Sequence, residues 1–152
     1  MSSGFRWIDV LSASCCLSLA CLIGCTTDSD HGRVSGTVLL DNSPLVDAQV
    51  EFIPTAAGST AYGRTDENGY YQMEYARDSV GASIGENEVR ITSSGASADE
   101  NGDLSFKKEQ VPARYNLKTE LVFKVESGSN TADFSLTSEG EILNTMSDAA
   151  NE

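Results

Sequence analysis

From Gly32 onward, apolar side chains recur at every second position in short runs separated by Gly, Asn, Asp and Pro. That period fits strands joined by turns and does not fit helices. Val34, Gly36, Val38 and Leu40 fall on one face of a first strand, with Ser35 and Thr37 on the other. Asp41-Asn42-Ser43-Pro44 predicts a turn, because Asn and Asp side chains bond to their own backbone and Pro presets φ. In a second strand Ala48, Val50 and Phe52 alternate with Asp47, Gln49 and Glu51, and Pro54 ends it. A third strand is expected over Thr60 to Thr65, followed by the hairpin signal Asp66-Glu67-Asn68-Gly69. Tyr71, Met73 and Tyr75 line a fourth strand, and Val89 and Ile91 alternate with Glu88 and Arg90 in a fifth. Ser93 to Asp103 reads as a polar loop. Leu121, Phe123 and Val125 mark a sixth strand, and Ala132, Phe134 and Leu136 a seventh after the Gly128-Ser129-Asn130 turn. The expected fold is therefore an all-β, seven-stranded sandwich over residues 32–137. Residues 138–152, acidic and poor in large apolar groups, read as a disordered tail.

The amino-terminal segment breaks this pattern. Arg6 precedes an apolar run from Val10 to Gly24, which is short of the roughly 20 residues that span a bilayer as a helix. Residues 1–24 read as a signal peptide, although Asp9 weakens the positive start. Leu22-Ile23-Gly24-Cys25 resembles the bacterial lipobox, in which a small residue precedes the cysteine. The resemblance implies cleavage between Gly24 and Cys25 and attachment of a diacylglyceryl group, with acyl chains such as palmitate, to the Cys25 sulfur. Two or three acyl chains, at about 0.8 kcal/mol per buried methylene, hold far more firmly than a single myristoyl chain. Residues 25–31, Cys25-Thr26-Thr27-Asp28-Ser29-Asp30-His31, then read as a lipidated flexible tether. Thr26 is not the Asp that retains some lipoproteins at the inner membrane, so the expected location is the cell envelope: the outer membrane, periplasm or cell surface.

Composition narrows the chemistry. The 152 residues make room for one domain, and the formal net charge is −13. Loss of residues 1–24 removes Arg6 and Asp9 together, so the balance persists. Such a field repels phosphate backbones, and nucleic acid is excluded as a partner. Cys15, Cys16, Cys21 and Cys25 all lie in the first 25 residues, leaving no thiol in the domain for a disulfide, a zinc site or a nucleophile.

Val34-Ser35-Gly36-Thr37-Val38, the run Pro44 to Phe52, Thr65 to Tyr71, and Gly85 with Val89-Arg90-Ile91 together resemble the carboxypeptidase regulatory-like domains. Val111-Pro112-Ala113-Arg114-Tyr115-Asn116 followed by Leu121 resembles a subgroup found as small lipoproteins in planctomycete-type bacteria. The resemblance covers nearly all of residues 32–137 and implies a transthyretin-like (prealbumin-like) Greek-key sandwich acting as a scaffold without catalytic residues. It departs at Ile84 and Asn87, where the family pattern has Pro and Tyr.

Candidate chemistry is sparse. The transthyretin-like hydrolases of purine degradation use several His and Arg residues and end in Tyr-Arg-Gly-Ser, whereas this chain has one histidine, His31, and ends in Asn151-Glu152. With its only imidazole in the tether, the expected domain lacks a general base for a nucleophilic triad, and no enzyme activity is expected. No cofactor is implied. No complete metal set is expected either, but Asp99, Asn101 and Asp103 place oxygen donors at the first, third and fifth positions of a calcium loop. Leu104 stands where that loop needs Gly and Gln110 where it needs Glu, so a polar connection is the plainer reading. Tyr70 alternates outward from Tyr71, and with Tyr62 and Tyr75 it makes a stacking surface conceivable. The expected function is a non-enzymatic cell-envelope lipoprotein. It would hold the membrane by its lipid anchor and present a structural or protein-interaction module to an envelope protein. The alternative is a carbohydrate-binding or calcium-dependent binding module at the cell surface.

Overall fold

The computed structural model describes residues 30–76, 79–98 and 104–143. In chain order its strands are β1 (His31–Leu40), β2 (Ser43–Pro44), β3 (Gln49–Pro54), β4 (Ala61–Arg64), β5 (Tyr70–Gln72), β6 (Glu74–Ala76) and β7 (Ser79–Val80). They continue as β8 (Ala82–Ser83), β9 (Gly85–Thr92), β10 (Gly95–Ala98), β11 (Leu104–Lys107), β12 (Leu121–Val125), β13 (Ser129–Thr131) and β14 (Phe134–Leu136). A 3-10 turn at Ala113–Tyr115 is the only helical element among the described residues.

Two sheets pack face to face. One runs β12-β9-β3-β4-β6-β7, antiparallel throughout. The other is built around β1, which pairs antiparallel with β2, β5 and β8 and parallel with β13 and β14. The chain leaves β1, makes β3 and β4 in the opposite sheet, and returns as β5 beside β1, a Greek-key excursion between sheets. The expected sandwich is thus the observed one, and the expected strands correspond to β1, β3, β4, β5 with β6, β9, β12 and β14.

The period-two pattern explains the core. Val34 and Val38 of β1, with Tyr71, Ala132 and Leu136, face Val50, Phe52, Ala61, Val89, Ile91 and Val125 of the second sheet, and Met73 fills the space where the chain passes between them, all nearly inaccessible. Phe52 makes edge-on contacts with Phe123 of its own sheet at 5.8 Å and with Phe134 of the opposite sheet at 6.4 Å between ring centroids, and the second contact links the layers. Each such large side chain contributes about 1.5–3 kcal/mol through burial. Gly36 is required by close approach: a Cβ there would lie 1.9 Å from the Ala132 carbonyl oxygen. The Asp41-Asn42 turn between β1 and β2 has φ of 49° and 63°, the left-handed pair that a tight hairpin demands and that these residue types tolerate.

Four expectations are corrected. The fourth strand is two: β5 pairs with β1 and β6 with β4, and the chain changes sheet at the fully buried Met73. The loop expected from Ser93 to Asp103 is in part a hairpin, because Gly95–Ala98 pairs with Leu104–Lys107 around residues 99–103, which lie outside the described set. The tether expected over residues 25–31 gives way to β1 at His31, whose ring meets Tyr75 at 3.6 Å between centroids. Asp30 already receives a bond from the Ile84 amide at its carbonyl. The tail expected from residue 138 begins as a docked segment: the Ser138 amide donates to Asp41 Oδ1, and Ala113 N–H donates to the Glu141 carbonyl. The remainder of that tail, 144–152, is outside the described residues.

Candidate functional site

The Asp66–Gly69 turn is built by its own residues. Asp66 Oδ1 accepts bonds from the amides of Asn68 at 2.8 Å and Tyr70 at 2.9 Å, and the Asp66 amide donates to the Tyr70 carbonyl. Gly69 takes φ of 75°, which favours glycine. The buried Thr65 hydroxyl pins the turn to the start of β3, accepting from the Ala48 amide at 2.8 Å and donating to the Leu45 carbonyl at 2.6 Å. These bonds fix where β4 ends and β5 begins, and therefore where the alternation puts Tyr62 and Tyr70.

The two tyrosines share one depression of about 540 Å³, open to solvent. Tyr62 is 51% exposed and Tyr70 46%. Gly63 and one edge of Tyr71 lie in the same lining, and Gln49, Gln72, Arg64, Asp66 and Glu74 supply its polar groups. Tyr62 stands opposite Glu51 on one side and Glu74 on the other, while Gln49 pairs with Arg64 across β3 and β4. The charges here are largely committed. Arg64 forms an ion pair with Asp47, Asp66 is occupied by turn amides, and Gln49 Nε2 donates to Glu51 Oε1 at 2.6 Å. Gln72 and Glu74, both exposed, add an amide and a carboxylate to the lining. This lining can stack a flat apolar face and offer amide and carboxylate hydrogen bonds around it.

Tyr75 does not join them. It lies with His31 at a second depression of about 390 Å³, lined also by Asp30, Ala57, Gly58, Ser83 and Ile84. The three tyrosines singled out in the sequence therefore divide between two separate depressions. Cys25 and Gly24 lie outside the described residues, as do Asp99, Asn101 and Asp103. Among the described residues no group of three or more His, Cys, Asp or Glu is placed to hold a metal ion. No helix among them is long and apolar enough to cross a membrane.

Two buried polar residues escaped the sequence reading. Glu109, 5% exposed, accepts from the Ser93 hydroxyl at 2.6 Å, the Ser93 amide at 3.0 Å, the Val111 amide at 2.9 Å and the Ser94 hydroxyl at 3.1 Å. Burial alone would raise its pKa, but these donors, led by the Ser93 hydroxyl, outweigh it and hold the carboxyl below its ordinary value of 4.5. Glu109 closes the base of the β10–β11 hairpin and has no part in either depression. Asn87 occupies an inward position of β9 and donates through Nδ2 to the carbonyls of Ser83 and Gly85, both at 2.9 Å, while its buried Oδ1 has no partner. The departure from the family pattern at position 87 had marked this site, though not its polarity inside the core.

No protein-family model matches the chain, and no curated protein does either. Solved structures with some likeness include a 9R-lipoxygenase from Cyanothece PCC8801, 16% identical with a TM-score of 0.40, covering 71% of this chain and 16% of that one. Another is BcpA, the major pilin subunit of Bacillus cereus, 14% identical with a TM-score of 0.44, covering 72% of this chain and 30% of the pilin. This chain accordingly spans less than a third of either protein's length.

Proposed function

We propose that the chain is a non-enzymatic cell-envelope lipoprotein, anchored through Cys25, whose β-sandwich is a binding module presented away from the membrane. The observation that carries this reading is the placement of the Tyr62–Tyr70 depression relative to the chain's entry into the fold. β1 enters at His31, a few residues after Cys25, and runs antiparallel to β5 with Thr37 opposite Tyr70. At about 3.3 Å per residue, Tyr70 stands roughly 20 Å along β1 from the entry point. An anchor at Cys25 therefore tethers the domain by the end of β1 that lies away from Tyr70.

Asp66 in that lining is already occupied by the turn amides of Asn68 and Tyr70, which suits a residue that shapes the turn. Gly36 beneath Ala132 and the Asp66–Gly69 turn give structural sense to the residues that resemble carboxypeptidase regulatory-like domains, and membership of that group is part of the proposal.

The anchor is tested by metabolic acyl labelling. The parent chain is expected to take up label and run as the processed form, and Cys25→Ser to lose the label and accumulate as precursor. A parent chain without label, or a labelled Cys25→Ser chain, overturns the anchor.

A further inference from the structure

The geometry points to a neutral oligosaccharide as the ligand of the Tyr62–Tyr70 depression. This deepens the binding-module reading above and rests on it.

Hexopyranose rings combine an apolar face of C–H groups with a rim of hydroxyls. They are recognised by exposed aromatic faces together with planar amide or carboxylate groups in a shallow, open cleft. The depression supplies both parts: Tyr62 and Tyr70 are half-exposed in one cleft, and Gln72, Gln49 and Glu74 lie among them. Its volume of about 540 Å³ falls among small-ligand sites, and its openness suits a chain that enters and leaves along the surface.

Charge selects the class of sugar. The formal net charge is −13, the cleft contains Asp66 and Glu74, and its one guanidinium, Arg64, is paired with Asp47. Uronates, sulfated glycans and phosphorylated polymers meet an unfavourable field without a cation to receive them. A neutral polyol meets no such penalty. Neither tyrosine is needed for the core: both stand on the outward positions of strands whose inward neighbours, Ala61 and Tyr71, already build it.

The test uses the full chain in a detergent without a sugar headgroup. Affinity electrophoresis and titration are run against mixed-linkage β-glucan, xylan, galactomannan and amylose, with polygalacturonate as the anionic comparator. Binding to at least one neutral polymer is expected. Tyr62→Ala and Tyr70→Ala should each weaken it about tenfold or more, Tyr70→Phe should retain it, and Val122→Ser on β12 should leave it unchanged. Both tyrosines are solvent-facing, so unchanged melting temperatures will show that the variants fold. The proposal is overturned by binding to none of the neutral polymers, by preference for polygalacturonate, or by alanine variants that bind like the parent. Acyl labelling of the parent chain, read beside its titration, separates this outcome from the anchor: sugar binding by a parent chain without acyl label keeps the site and rejects the anchor, and label without binding does the reverse.

Discussion

The phenol of Tyr71 donates a 2.6 Å hydrogen bond to the carbonyl oxygen of Ala132, passing over β1 where Gly36 carries no side chain. Tyr71 sits on one side of β1 and Ala132 on the other, between β13 and β14, so this bond ties together the flanks of the first sheet. Burial, with the Asp133 carboxylate nearby, pushes the phenol well above the ordinary tyrosine pKa, which keeps it a donor at any physiological pH. Tyr71→Phe should cost about 1–2 kcal/mol by leaving that carbonyl without its donor. Gly36→Ala should cost about 3 kcal/mol or more, since the added methyl collides with the same oxygen. Urea unfolding of both variants checks the order, and equal stability of Gly36→Ala and the parent contradicts it.

Glu109 sets an acid limit on stability. Its folded pKa is held below 4.5, so its contribution is present above the unfolded value and is lost as the pH falls through the folded one. Glu109→Gln should destabilise the domain by about 2–3 kcal/mol at pH 7, because an amide nitrogen cannot accept from the serine and backbone donors. The gap between parent and variant should narrow toward pH 3 in thermal melts, and a constant gap would argue against the carboxylate's role.

Asn87 offers a sharper test of core polarity. Asn87→Asp exchanges a donor for a carboxylate facing the carbonyls of Ser83 and Gly85, at a cost of about 3 kcal/mol at pH 7. Desolvation and carbonyl repulsion raise the pKa of the introduced acid, so protonation restores a donor and the deficit should shrink at pH 4. A deficit independent of pH would mean that the side chain has left the core.

Residues 138–143 can be weighed by truncation. A chain ending at residue 137 should be about 1 kcal/mol less stable than one ending at residue 143, having given up the bonds from Ser138 to Asp41 and from Ala113 to Glu141. Indistinguishable melting of the two truncations would show that the docked segment contributes nothing.

The strands that carry the sandwich were readable because alternation there reflects burial on one face only, as in Val50 and Phe52 against Gln49 and Glu51, or Val89 and Ile91 against Glu88 and Arg90. The β10–β11 hairpin was not, since Gly95-Ala96-Ser97-Ala98 contains no large apolar residue to alternate. The change of sheet at Met73 leaves Tyr71, Met73 and Tyr75 in phase, so periodicity reports one strand where tertiary pairing makes two. Glu109 looks in sequence like any solvated acid, and only the packing of residues 93, 94 and 111 around it reveals a buried latch. Tyr62 and Tyr70 could be named as outward aromatics, but their convergence with Gln49 and Gln72 depends on how the Asp66–Gly69 turn folds β5 back.

The parallel pairing of β1 with β13 and β14 has a kinetic meaning. The amide of Thr37 bonds to Asp133, 96 positions away, and β1 cannot complete its hydrogen bonding until those last strands arrive. Loop-closure entropy must be overcome before that contact returns any energy, which places the domain among high-contact-order folders that take milliseconds to seconds. Until that moment β1 carries an open edge, and nascent chains are most prone to pair with one another there.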